Sequence, residues 1–158
     1  MKLKEASCFI KTYGNNSTHG ETIFLQAKKT IMPLDIRTHP HPGFPTDMQP
    51  QFLSVLTLAK GTSIIIETVF ESRYQHAVEL IRMGADVAVD GRTAIIKGVD
   101  TLKGARVSAK DLRGGAALIL AGLAAEGDTV IENATFVKRG YEDFEQQLSS
   151  LGADIRLI

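Results

Sequence analysis

Tryptophan is absent, aromatic residues make up only 6% of the chain, and Cys8 is the single cysteine. One thiol excludes an internal disulfide framework and a thiolate zinc site, and it suits a reducing compartment. An excess of either charge is also lacking: 18 basic residues balance 18 acidic ones. No long-range field draws the chain to a polyanion or an anionic bilayer, so neither nucleic acid nor a membrane is expected as a partner. Long apolar runs are missing too. The most apolar stretch, Ala116 to Ala125, is well short of the roughly 20 residues that cross a bilayer, and it reads as a helix buried in protein. The opening Met1-Lys-Leu-Lys-Glu-Ala-Ser has neither the apolar core of a signal peptide nor the acid-poor composition of a transit peptide. The expected location is the cytoplasm.

The chain's 158 residues are 44% hydrophobic and 23% charged, enough apolar side chain for a packed core. Its organisation is repetitive. Asp47 precedes the helical pattern Phe52, Val55, Leu56, Ala59, which stops at Lys60-Gly61; Asp111 precedes Ala116 to Ala125, which stops at Glu126-Gly127. Both aspartates are expected to be N-caps, accepting amide hydrogens of the first turn, with Pro50 tolerated in that turn. After each glycine comes a β-branched strand, 62–68 or 128–133, then a loop and an arginine, Arg73 or Arg139. Second helices are expected at about 74–83 and 141–151, each closed by Gly-Ala-Asp and leading into another strand, with extra strands at 94–97 and 106–109. Leu3 to Ile10 parallels Leu80 to Val87, so the chain reads as entering a repeat midway: units 1–46 (partial), 47–110 and 111–158, forming a single partial domain. An incomplete unit leaves an apolar face without its neighbour, which predicts self-association or a complementary partner. Asn15 to Gly20, including His19, reads as a hairpin loop.

Thr38 to Asp47 is the most unusual segment, with Pro40, Pro42 and Pro45 favouring a stiff, extended path. Such a loop can hold Asp47 at a cleft edge as a general base, although an aspartate before a helix is more commonly a cap. His39 and His41 lack a third ligand at a recognisable spacing, so no metal is expected. His76 reads as a surface or cap residue, and Cys8 as a buried thiol in a strand. Arg73, Arg113 and Arg139 recur at loop or helix-start positions, and three guanidinium groups in register suit a phosphate or carboxylate site. Gly114-Gly115 leaves room for a ligand or a backbone to approach.

Phe44-Pro-Thr-Asp47-Met-Gln, Glu67-Thr-Val-Phe-Glu-Ser-Arg73, Glu79 to Ala85, Asp111-Leu-Arg113 and Arg139-Gly-Tyr-Glu142 together resemble the C-terminal part of the UDP-N-acetylglucosamine enolpyruvyl transferases. The resemblance runs in order through essentially the whole chain, and the first two motifs separate it from the enolpyruvyl-shikimate-phosphate synthases. It implies an inside-out α/β barrel of repeated units, here two copies plus part of a third. The implied activity is transfer of the enolpyruvyl group of phosphoenolpyruvate to the 3′-hydroxyl of UDP-N-acetylglucosamine in peptidoglycan synthesis, without cofactor. Asp47 resembles the general base, Val69 the residue whose backbone meets the UDP-sugar, Arg73 and Arg113 the pair on the phosphoenolpyruvate carboxylate, Arg139 an arginine on its phosphate, and Asp111 the second active-site aspartate. The family's cysteine loop, lysine and asparagine have no counterpart in this sequence, and Cys8 does not match the cysteine motif. The isolated chain is therefore expected to be inactive; the alternative is a non-catalytic binding or assembly module with the same fold.

Overall fold

A computed structural model describes residues 2–13 and 22–158. The short helix α1 (Lys2–Glu5) leads into the antiparallel hairpin β1 (Phe9–Tyr13) and β2 (Thr22–Gln26), in register from Phe9 opposite Gln26 to Tyr13 opposite Thr22. The expected loop at 15–20, with His19, lies outside the described residues. Strand β3 (Asp35–Arg37) follows, then a 3₁₀ turn at Thr46–Met48 and helix α2 (Gln49–Leu56). Next come β4 (Thr62–Ile66), α3 (Gln75–Arg82), β5 (Asp86–Asp90), β6 (Thr93–Lys97) and β7 (Arg106–Ser108). The chain ends with α4 (Leu112–Ala124), β8 (Val130–Glu132), α5 (Thr135–Lys138) and α6 (Phe144–Ser150).

The strands form one four-stranded sheet in the order β3-β4-β6-β5 and the two-stranded pairs β1-β2 and β7-β8. Helices α2 and α3 both pack on α4. α4 supplies the centre because its small residues let neighbours approach from several sides: Gly114, Gly115, Ala116, Ala117, Leu118, Ile119 and Ala121 are all buried. The Ser54 hydroxyl on α2 donates to the Ala117 carbonyl on α4 at 2.8 Å, so the helix contact is directional as well as apolar. Leu53, Leu56, Ile65, Leu80, Met83, Ile96, Leu102 and Leu118 are fully buried around this contact. Each such side chain contributes roughly 1.5–3 kcal/mol of transfer free energy.

One turn recurs at the helix–strand junctions. Leu80, Leu3 and Leu148 each accept at their carbonyl a hydrogen bond from the amide five residues on: Ala85 (3.0 Å), Cys8 (2.9 Å) and Ala153 (3.1 Å). The residue before that amide takes a positive φ, +91° at Gly84 and +95° at Gly152. This is the 6→1 bond that closes a helix through a left-handed residue, for which glycine carries no Cβ penalty. Ser7 occupies the same place at φ 71° and bears the cost of a side chain there, about 1 kcal/mol.

Several expectations need correcting. Cys8 precedes β1 and is half-buried rather than enclosed in a strand. The proline loop is not extended: the Gly43 amide donates to the Pro40 carbonyl at 2.8 Å and the His39 amide to the Phe44 carbonyl at 2.9 Å, which fold it into a compact turn. The second unit's later helix begins at Phe144 rather than 141, because α5 fills what reads as a loop. No strand follows Gly152; residues 153–158 have no regular partner among the described residues. The hairpin is almost wholly exposed, with Phe9, Tyr13, Ile23, Phe24 and Leu25 facing solvent.

Candidate functional site

Asp47 lies in the 3₁₀ turn between Pro45 and Gln49, just before α2. It is not a cap: the residue at the cap position of α2 is Met48, without a side-chain bond, and the Asp47 carboxylate turns away to two arginines. Its Oδ1 accepts from Arg73 Nη2 at 2.8 Å and its Oδ2 from Arg113 Nη2 at 2.7 Å. A carboxylate bonded through both oxygens by separate guanidinium groups is a strong charge-assisted arrangement. The bond from Arg113, helped by the charge of both arginines, holds the Asp47 carboxyl below the usual carboxylate range despite some desolvation.

The arginines are themselves held. Arg73 comes from the loop after β4, with its guanidinium carbon 4.8 Å from the centre of the Phe70 ring. Arg113 comes from the first turn of α4 and lies 5.4 Å from the Tyr141 ring, so each cation faces an aromatic surface. Tyr141 is fixed by a hydrogen bond from Gln51 Nε2 on α2 at 3.0 Å and by stacking on Phe144. Three segments far apart in sequence thus meet at Asp47.

Asp111 keeps the capping role expected of it. It caps α4 with extended backbone, and its Oδ1 accepts from the Gly114 amide at 2.8 Å. The Gly114-Gly115 pair serves packing within the protein rather than an open approach. A Cβ on Gly114 would meet Asp111 Oδ2 at 2.9 Å and His76 Cβ at 3.1 Å, and one on Gly115 would meet Val137 Cγ2 at 2.6 Å. His76 is likewise not a surface residue. It is 2% exposed on α3, and neither ring nitrogen has a hydrogen-bond partner among the described residues. Burial pushes its pKa down to about 4, outweighing the nearby Asp111 carboxylate.

Val69 is 41% exposed, on the turn after β4. Arg139 is exposed at the end of α5, beside Gly140, which closes against Leu112. The geometry therefore joins Asp47, Arg73 and Arg113 directly, places Asp111 two residues from Arg113, and leaves Val69 and Arg139 on flanking loops. No cluster of three metal-ligating side chains occurs among the described residues. Among the described residues no helix is long and apolar enough to cross a membrane.

Sequence reasoning gave no role to Glu67, which has no exposed surface. Its Oε1 accepts from the Thr38 hydroxyl (2.8 Å) and from the amides of Val69 (2.8 Å) and Phe70 (3.2 Å), and its Oε2 from the Thr46 hydroxyl (2.8 Å). Desolvation is the largest single influence and raises its pKa, but the four donors together bring it below the ordinary value. A signal was available: an acidic residue directly after Ile64-Ile-Ile66 is a carboxylate entering a buried strand end, where it requires donors.

Two arginines converge on one carboxylate in an α/β scaffold, a geometry in which guanidinium groups can hold small anionic groups. Comparison with known proteins narrows this class. The model of the EPSP synthase (3-phosphoshikimate 1-carboxyvinyltransferase) family matches residues 1–148. The chain belongs to that family. Among curated relatives, UDP-N-acetylglucosamine 1-carboxyvinyltransferase of Halothermothrix orenii is 58% identical over 158 residues, all of this chain and 35% of the relative. UDP-N-acetylglucosamine 1-carboxyvinyltransferase 2 of Caldanaerobacter subterraneus is 54% identical over 98% of this chain and 36% of its own length. The chain thus spans about 36% of the length of such relatives. Among solved structures, the enolpyruvyl transferase NikO from Streptomyces tendae superposes with TM-score 0.82 at 30% identity, covering 98% of this chain and 35% of that one. EPSP synthase from Acinetobacter baumannii shares the fold, with TM-score 0.66 at 21% identity over 94% of this chain.

Proposed function

We propose that this chain supplies one wall of the site that moves the enolpyruvyl group of phosphoenolpyruvate to the 3′-hydroxyl of UDP-N-acetylglucosamine, in the cytoplasmic synthesis of peptidoglycan. The observation that carries the reading is the Asp47 carboxylate shared between Arg73 and Arg113. Two guanidinium groups that hold a carboxylate in this way can hold the carboxylate of phosphoenolpyruvate in its place. Its arrival releases Asp47 from the cations that depress its basicity, and a released aspartate can take the proton of the attacking hydroxyl. In the overall exchange the 3′-oxygen bonds to C2 of the enolpyruvyl group, the C2–O bond to phosphate breaks, and the hydroxyl proton leaves with phosphate. Arg139 is assigned to the phosphate, the Val69 backbone to the UDP-sugar, and Asp111 to the reacting centre beside its capping role. The relatives' names, identities of 58% and 54% against 21% for the EPSP synthase structure, and the Asp47 and Arg73 motifs support the sugar substrate over the shikimate one.

The rest of the site comes from elsewhere. Donors on one wall cannot converge on a transition state without the opposing wall, so the isolated chain is expected to show no turnover. The exposed apolar hairpin supports association with the complementary part of such an enzyme or with a second copy. Isothermal titration with UDP-N-acetylglucosamine, with and without phosphoenolpyruvate, tests the reading. Heat that appears for the chain and is lost in Asp47→Ala is the expected result. No binding at millimolar ligand overturns it and leaves a folded module without a usable half-site.

A further inference from the structure

We infer that Glu67 is a positioning residue that couples Asp47 to the Val69 turn, one buried carboxylate fixing both halves of the site through its two oxygens. The bonds run to different segments. Oε2 holds the hydroxyl of Thr46, the residue next to Asp47 in the 3₁₀ turn. Oε1 holds the amides of Val69 and Phe70. Phe70 in turn presents its ring to Arg73, which donates to Asp47. The contacts therefore close a ring: Glu67, Thr46, Asp47, Arg73, Phe70 and back to Glu67.

Two further bonds stiffen the ring. Thr38, fully buried at the end of β3, donates its hydroxyl to Glu67 Oε1 and accepts from the Thr68 amide at 2.8 Å. The Thr38 amide donates to the Ile66 carbonyl at 3.0 Å, beside Glu67, and the Glu67 amide donates to the Arg92 carbonyl at 2.8 Å, just before β6, so the backbone around the carboxylate is held on both sides. A purely structural glutamate would need its donors anywhere in the fold. Here, Thr38 apart, every donor belongs to a turn that carries a site residue. Glutamate suits the task because an ionised carboxylate accepts at both oxygens, whereas glutamine offers one accepting oxygen and places an NH₂ where the other stood.

NMR and titration on Glu67→Gln and Thr46→Val test the coupling, and the spectroscopic readouts need no ligand. In Glu67→Gln the amide protons of Val69 and Phe70 are expected to move upfield as they lose a charged acceptor, and the Asp47 carboxyl midpoint is expected to rise as its turn loosens. In Thr46→Val, which leaves the Oε1 bonds intact, the Asp47 midpoint rises while the Val69 and Phe70 amides stay in place. An Asp47 midpoint unchanged in folded Glu67→Gln overturns the inference; should that variant fail to fold, an unchanged midpoint in Thr46→Val does so. The ligand arm rests on the functional reading above: affinity for UDP-N-acetylglucosamine should fall about tenfold in Glu67→Gln, the scale of one lost charge-assisted hydrogen bond. If the unmodified chain binds no UDP-sugar, the functional reading fails while the titration of Asp47 still decides the role of Glu67.

Discussion

Asp47 and Asp111 open the two main helices of the core from matching places in the sequence, yet their carboxylates do different work. Asp111 satisfies the amide of Gly114 and completes its own helix. Asp47 leaves α2 uncapped and satisfies Arg73 and Arg113 from other parts of the chain. The difference begins in the preceding backbone. Extended backbone at Asp111, φ −152° and ψ 173°, aims the side chain back at the first turn. The 3₁₀ turn that starts after Pro45 places Asp47 one step too early for that, and its carboxylate projects outward. A residue relieved of local duty is available to a ligand, whereas one that caps is tied to the stability of its helix.

The largest test of this contrast concerns what lies beneath Asp111. His76 packs against Gly114 with Asp111 and Arg73 as its charged neighbours. Its folded pKa of about 4 lies below the ordinary 6.5, so between these values the unfolded chain binds the extra proton. Stability is therefore complete above about pH 6.5 and falls as pH drops toward 4, by roughly 3 kcal/mol at the 1.36 kcal/mol that accompanies each pH unit between the two. Denaturant melts from pH 7 to pH 4 should show that loss in the parent chain and a flatter profile in His76→Leu. An equal slope in both would place the acid sensitivity elsewhere.

The next effect is the cap itself. Asp111→Ala is expected to lower stability by about 1 kcal/mol, measured as a shift in the urea midpoint at pH 7 with an unchanged slope. Asp111→Asn, which keeps an acceptor oxygen, should recover most of the loss. If the alanine variant is as stable as its parent, the Gly114 bond contributes nothing and the two aspartates are alike after all.

How far the sequence discloses this arrangement differs between its levels. The helix–strand alternation and the left-handed glycines 84 and 152 could be anticipated, because apolar period and glycine placement carry them, whereas only the family resemblance paired Arg73 with Arg113, and it did not bring them onto Asp47. The capping of Asp111 was legible and the apparent capping of Asp47 was misleading for one reason: both precede a helical pattern, and the pattern alone does not report the extra 3₁₀ turn. His76 was misplaced because a histidine at a helix start is normally solvated, and nothing local in Tyr74-Gln-His announces that Gly114 of α4 will close over it. Two donors to Glu67, the amides of Val69 and Phe70, are local, but the hydroxyls of Thr38 and Thr46 are brought in only by tertiary structure.

The smallest effect in stability belongs to Asp47, and its smallness is itself informative. Its side chain is 53% exposed, against 17% for Arg73 and 27% for Arg113, so solvent screens much of the attraction. Asp47→Asn should therefore cost under about 1 kcal/mol at neutral pH and low salt, and less as salt is raised. The sign with pH follows from the lowered carboxyl: the contribution is present above the ordinary aspartate value of 3.8 and disappears as pH falls through the lower folded value. The stability difference between parent and Asp47→Asn should accordingly shrink below pH 3.8. A near-neutral stability effect joined to a lost titration heat would identify Asp47 as held for ligand rather than for fold. A large stability loss with undiminished heat would reverse the roles of the two aspartates.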